Sequence, residues 1–197
     1  MSDYDTILQI AKINNGIFKT KMIVEAGIRK EKIKDLVESG KIEHIGHGYY
    51  AIQSNCTDKY YEIQQRCSKA IFSFETAAYL WNLTNIEPKV LDCTVPRGYN
   101  TSRLNIGTNI QFHYTLQDFY EIGLVEGHSP QGSSIYLYDR ERTICDLIRH
   151  RKQIQPAIYS QMINSYFKSR EKNIQKLAKY SRIFHVGKEL EMYMEVL

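Results

Sequence analysis

Lys19–Gly40 reads KTKMIVEAGIRKEKIKDLVESG, and this stretch decides how the chain begins. Thr20 suits the N-cap of a short helix through Met22, Ile23 and Val24, and Gly27 ends it by taking the left-handed backbone that closes a helix. A second helix runs from about Arg29 to Ser39, with Ile33, Leu36 and Val37 on one stripe and Gly40 as its stop. Two helices joined by a sharp glycine turn make a helix-turn-helix.

Upstream, Tyr4, Ile7, Leu8 and Ala11 recur at helical spacing before Asn14-Asn15-Gly16 stops the run. Downstream, Lys41–Ile45 and Tyr49–Ile52 are two strand-like runs around Gly46-His47-Gly48, a hairpin turn. Helix, helix-turn-helix and hairpin in that order predict a winged helix. The stretch from Gln53 to Asp58 turns polar and marks a boundary, which gives two domains, residues 1–53 and residues 58–197.

The expected second domain mixes sheet and helix. Ser73 is placed to cap a helix through Ala77, Ala78, Leu80 and Trp81. Strand-like runs follow near Val90–Val95, Ile110–Tyr114, Glu121–Glu126 and Ser134–Tyr138. Asp139 is placed to cap a helix carrying Ile144, Leu147 and Ile148, and the pattern from Pro156 to Leu197 is helical almost throughout. The fold class predicted is therefore α+β, a winged helix-turn-helix followed by a mixed α+β domain that ends in helices.

Charge gives the first functional pointer. The whole chain carries a formal charge of +4, too mild to identify a polyanionic partner by itself. Between Lys19 and Lys34, however, the bases Lys19, Lys21, Arg29, Lys30, Lys32 and Lys34 face only Glu25 and Glu31, so this short segment alone holds an excess equal to that of the chain. In a helix-turn-helix that segment meets phosphates and base edges. Turning the third helix at its natural period puts Glu31, Asp35 and Glu38 outward, so it is expected to enter DNA by its N-terminus, with sparse base readout. On the wing, His44, His47 and Tyr49 are candidates for backbone or minor-groove contact.

Other chemistry is weakly signalled. Cys56, Cys67, Cys93 and Cys145 lie far apart without a C-x-x-C pair, so they read as reduced thiols and not as zinc ligands or a disulfide frame. His44-x-x-His47 lacks a third ligand nearby, and no metal or cofactor is expected. Acids near the N-terminus and the lack of any run of ~18 apolar residues point to a cytoplasmic protein. Glu141, Arg142 and Asp146 read as an internal polar network. Basic surface in the second domain falls on Arg149, Arg151 and Lys152 and on Lys168, Arg170, Lys172, Lys176, Lys179 and Arg182.

Several anchors together resemble a known family. Gly16, Thr20, Gly27-Ile28, Leu36-Val37, Gly40-Lys41-Ile42 and Gly48-Tyr49-Tyr50-Ala51 are similar to the winged helix of AbiEi-type antitoxins, from AbiE abortive-infection toxin–antitoxin systems. Ser73, Thr76-Ala77-Ala78, Thr94-Val95-Pro96, Glu141-Arg142-Thr143 and Asp146-Leu147 resemble that family's second domain. The resemblance implies an autorepressor that binds inverted repeats in its own promoter, and no enzymatic activity is expected. Cooperative binding of two molecules to two half-sites would match the symmetry of such DNA without requiring a dimer in solution. The resemblance further implies an antitoxin for phage defence whose second domain neutralises a co-encoded nucleotidyltransferase-like toxin without a stable complex. Carried over by position, DNA contact falls on the Lys19–Lys34 bases, and neutralisation on basic surface of the second domain, with Arg149, Arg151, Lys152, Lys168, Arg170, Lys172 and Lys176 as its candidates. The alternative is a DNA-tethered, metal-dependent enzyme of nuclease type, whose site would gather Asp118, Glu121, Asp139, Glu141 and Asp146.

Overall fold

The computed structural model describes residues 2–52, 58–101 and 109–196. Cys56, Leu197 and most of the expected boundary stretch lie outside them. Helix α1 (Asp3–Ile13) begins in a capping box in which Ser2 and Asp5 satisfy each other's backbone N–H, and it buries Ile7 and Ala11. Asn15 (φ 52°) and Gly16 (φ 85°) then turn the chain.

A strand follows that the sequence pattern does not predict. Strand β1 (Ile17–Lys19) is three residues long, too short to display a period-two pattern, and it pairs antiparallel with Tyr49, Tyr50 and Ala51. Because the strand runs up to Lys19, that residue takes the N-cap position of α2 (Thr20–Glu25). Thr20, expected to be the cap, is the first helical residue, and its backbone N–H donates to the Gly48 carbonyl at 2.9 Å. Helix α3 (Lys30–Glu38) follows a turn at Gly27 (φ 81°), with Arg29 and Ser39 as its caps.

Strands β2 (Ile42–Gly46) and β3 (Tyr49–Ile52) form a hairpin with a register slip between His44 and Gly46, giving a sheet ordered β1-β3-β2. Ile7, Ala11, Phe18, Ile23, Ile28, Ile33, Leu36 and Ile42 close one apolar core between this sheet and α1–α3. Burying each such aliphatic side chain contributes roughly 1.5–3 kcal/mol, so this core, and not helix propensity, holds the two short helices at a fixed angle.

The remainder builds a second sheet with its own cores. Asp58 caps α4 (Lys59–Arg66), accepting from the N–H groups of Tyr60 (3.0 Å) and Tyr61 (3.2 Å). Strands β4 (Ile71–Phe72), β5 (Leu91–Pro96), β6 (Ile110–Thr115), β7 (Leu124–His128) and β8 (Ser134–Tyr138) lie in the order β6-β5-β4-β8-β7. Pairing is parallel for β5/β6 and β4/β8 and antiparallel for β4/β5 and β7/β8. The expected strand at Glu121–Glu126 starts only at Leu124, because α6 (Gln117–Tyr120) and a turn at Gly123 (φ 83°) occupy the residues before it.

Helix α5 (Phe74–Leu80) begins after Ser73, as expected, but Ser73 does not cap it with its side chain. Its hydroxyl accepts from Thr94 Oγ1 at 2.9 Å, since Ser73 is still in extended backbone beside β5. Asp139 does cap α7 (Arg140–His150), accepting from Arg142 N–H at 2.8 Å. Helices α8 (Pro156–Lys168), α9 (Ile174–Ile183) and α10 (Gly187–Val196) then pack against α7 around Ile144, Leu147, Ile148, Met162, Tyr166, Leu177 and Leu190. The architecture is thus mixed α+β with two sheets, as expected. Among the described residues no helix is long and apolar enough to cross a membrane.

Candidate nucleic-acid interface

The six bases between Lys19 and Lys34 do not share one situation. Lys19 is half-buried, with Nζ 5.2 Å from the centroid of the Tyr49 ring. Lys21 is paired with Glu25 (3.6 Å) and Lys34 with Glu38 (3.7 Å), each one helical turn away and well exposed. Such exposed pairs contribute about 0–1 kcal/mol and are readily exchanged. Arg29, Lys30 and Lys32 are exposed, and among the described residues they have no ion-pair partner.

Those three sit at the N-cap, first and third positions of α3. A helix N-terminus already carries about half a positive charge, so a cation there is disfavoured by roughly 0.3–1 kcal/mol. Three of them concentrate positive potential at a point where the Arg29 side chain caps no backbone N–H. An anion bridging these groups would relieve the repulsion; the Lys32 N–H is already donated to the Arg29 carbonyl at 3.1 Å. Beside them Val24, Gly27, Ile28, Arg29, Lys30 and Glu31 line a shallow hollow of about 340 Å³. Ile33 and Leu36 are buried, while Glu31, Asp35 and Glu38 are exposed, so the outer side of α3 is acidic beyond its first turn.

The hairpin splits its three candidates. His44 and His47 are exposed, the first with its ring 5.1 Å from that of Tyr50. Tyr49 instead turns toward α4 and donates its hydroxyl hydrogen to the Gln65 carbonyl. Among the described residues, no group of three or more His, Cys, Asp or Glu has the geometry to hold a metal ion.

The bases of the later helices fall into two places. Arg149, Arg151 and Lys152 are exposed around the C-terminal end of α7. Lys168, Arg170 and Lys172 are exposed at and just beyond the end of α8, near the other end of α7, where Arg140 pairs with Glu171 and Asn173 N–H donates to Glu141 Oε1 at 3.0 Å. A helix the length of α7 spans about 16 Å, so these are two separate patches. Lys176 belongs to neither, because its ammonium is drawn inward to Asp139 (2.8 Å) and Glu141 (3.8 Å). Burial opposes its charge, but the hydrogen bond and charge of Asp139 outweigh it and raise the pKa.

The carboxylates of the alternative enzyme reading form no shared metal-holding group among the described residues. Asp118 and Glu121 are exposed near α6, Asp139 caps α7, and Glu141 accepts from Tyr166 Oη at 3.0 Å. Asp146 accepts from Arg142 Nε at 2.9 Å, in a pair whose side chains are 2% and 3% exposed. Arg142 also donates to the Phe119 and Ile122 carbonyls and lies over the rings of Phe184 (3.8 Å) and Tyr138 (4.4 Å). Of the expected Glu141–Arg142–Asp146 network, Arg142 and Asp146 form a buried pair, whereas Glu141 is buried with partners of its own, Tyr166, Asn173 and Lys176. Cys67, Cys93 and Cys145 are buried free thiols, and burial raises the pKa of each.

A contact that the sequence pattern does not signal joins the hairpin to α4. Arg66, at the end of α4, places its guanidinium against Gly46 and is held by Glu62 at 2.9 Å. Glu62 and Arg66 at i, i+4 suggest a helix, but nothing in the spacing points at the hairpin.

Comparison with known proteins bears on the first quarter of the chain. Residues 5–53 match the family described as transcriptional regulator, AbiEi antitoxin, which supports the resemblance over the stretch holding α1–α3 and the hairpin. No curated protein sequence matches the chain.

Proposed function

We propose, from that family match and the charge layout it encloses, that the protein is a DNA-binding autorepressor and antitoxin of the AbiEi type. Residues 1–53 form a winged helix-turn-helix that binds inverted repeats in the protein's own promoter, and residues 58–197 form the antitoxin domain. The observation that carries the reading is the trio Arg29, Lys30 and Lys32, unpaired among the described residues and clustered where α3 opens. In a winged helix that end of the recognition helix enters the major groove, and three cations there neutralise phosphates flanking it. His44 and His47 extend the contact along the wing, and Lys19 adds positive charge beside it, while the charges of Lys21 and Lys34 are met by Glu25 and Glu38. Two molecules bind cooperatively to two half-sites.

The second domain acts on a co-encoded nucleotidyltransferase-like toxin through exposed basic surface, Arg149, Arg151 and Lys152 at one end of α7 or Lys168, Arg170 and Lys172 at the other. Lys176 serves the fold instead. No catalytic role is assigned to Asp118, Glu121, Asp139, Glu141 or Asp146, each of which has a structural partner or stands in solvent.

The test separates the two activities in cells carrying the native promoter on a reporter and an inducible toxin. Lys30→Ala/Lys32→Ala should derepress the reporter and still protect from the toxin. Triple alanine substitution of Arg149, Arg151 and Lys152, or of Lys168, Arg170 and Lys172, should abolish protection in one case and preserve repression in both. Repression by the Lys30/Lys32 variant at the wild-type level would overturn the DNA-binding assignment, and full protection by both triple variants would overturn the antitoxin surface.

A further inference from the structure

The hairpin that serves as the wing does not stand free. Its Gly46 side rests on Arg66 of α4, close enough that a Cβ on Gly46 would fall 2.6 Å from Nη2 and 2.8 Å from both Cζ and Nε. A Cβ there would require the guanidinium to move, and Glu62 holds it at 2.9 Å. Across the turn, the Tyr49 hydroxyl donates to the Gln65 carbonyl, one residue before Arg66, while Lys19 lies over the Tyr49 ring. At the tip, Thr20 N–H donates to the Gly48 carbonyl and ties the hairpin to the start of α2. Three points on a single turn are thereby fixed, two of them to α4 and one to α2.

Arg66 is a cation that DNA does not reach. Its side chain is 8% exposed and its charge is already matched by Glu62, itself 16% exposed. We propose that Arg66, with Tyr49, is a positioning residue for operator binding: α4 holds the wing in its DNA-competent orientation through the Arg66–Gly46 and Tyr49–Gln65 contacts. This rests on the DNA-binding reading above and adds that affinity depends on a residue beyond the matched family segment. A wing released from α4 samples orientations that must be given up again on binding, so affinity falls while every phosphate contact is kept. Tyr49, placed among the DNA-contacting residues by sequence, acts by the same route.

The experiment measures operator affinity of the full-length protein against salt concentration for wild type, R66M, Y49F, the R66M/Y49F double variant and Lys30→Ala/Lys32→Ala. R66M keeps the aliphatic length, and Y49F keeps the ring beneath Lys19. R66M is expected to weaken binding roughly 3- to 10-fold, equivalent to about 0.7–1.4 kcal/mol. Its log–log salt slope should equal that of wild type, because each phosphate-neutralising cation removed flattens the slope by ~0.9. Y49F should move the same way by less, and the double variant should lose less than the sum, since both residues secure one joint.

Wild-type affinity in both single variants overturns the proposal, as does an R66M slope flatter by ~0.9, which would make Arg66 a phosphate contact. The lysine variant distinguishes this failure from a deeper one. If it too binds with unchanged slope, the assignment of α3 as the DNA-entering helix falls, and the strut with it.

Discussion

Replacing Arg142 by methionine tests the central node of the larger sheet. The substitution keeps an apolar stem but leaves Asp146, 1% exposed, buried without its cation, and leaves the Phe119 and Ile122 carbonyls without their donor. Removing one member of a buried ion pair costs about 3–5 kcal/mol, and the rings of Phe184 and Tyr138 no longer have the guanidinium above them. Trp81 reports the effect cleanly. It is the chain's single tryptophan, and it lies under the Arg140 guanidinium with Nε1 donating to the Tyr138 carbonyl at 2.7 Å, next to the altered site. With a urea m-value of about 2 kcal/mol/M, the fluorescence midpoint should fall by roughly 1.5–2.5 M. Adding Asp146→Leu removes the stranded charge and should recover at least half of the stability, because an apolar replacement of a whole buried pair is often neutral. A midpoint shift below about 0.5 M in R142M, or no recovery in the double variant, would refute the reasoning.

Three further outcomes are expected. Gly123→Ala should cost about 2–3 kcal/mol by the same fluorescence assay, since φ is 83° and a Cβ would stand 2.6 Å from Arg142 Cβ; unaltered stability would show that the turn yields freely. His150 is held below its ordinary 6.5 by burial first and then by the charges of His113 and Arg149. The unfolded chain therefore binds its proton at higher pH than the folded one, and stability should fall as pH is lowered through and below 6.5, with His150→Gln removing part of that slope. An identical pH profile in the variant would contradict it. Lys21→Ala and Lys34→Ala, whose charges are met by Glu25 and Glu38, should leave the salt slope of operator binding within about 0.3 of wild type, well under the ~0.9 of a phosphate contact.

How much was legible depends on length and on local period. Helices α1, α3 and α7 announced themselves through apolar stripes and flanking caps, and the Asp139 cap was readable because its acceptor serves the residue three positions on. Strand β1 was hidden because three residues cannot show alternation, and its presence displaced the expected cap from Thr20 to Lys19. Ser73 misled for a related reason: its hydroxyl is claimed by Thr94 across the sheet, a tertiary partner invisible in local sequence. At the candidate interface, composition located the basic segment, but only geometry divided it into the paired Lys21 and Lys34, the stacked Lys19 and the open trio Arg29, Lys30 and Lys32. The same holds for Lys176, one more base in a basic run until its approach to Asp139 is seen. The Gly46–Arg66 approach joins residues twenty positions apart with no shared pattern, and it was not readable at all.

The proposed function stands or falls on whether α3 meets DNA by its first turn. The most direct measurement is the dependence of promoter-DNA affinity on salt for wild type and the Lys30→Ala/Lys32→Ala variant of the intact protein. Removing two phosphate-neutralising cations should flatten the log–log slope by about 1.8 and weaken binding at every salt concentration. A variant that keeps the wild-type slope and affinity would contradict that mode of entry.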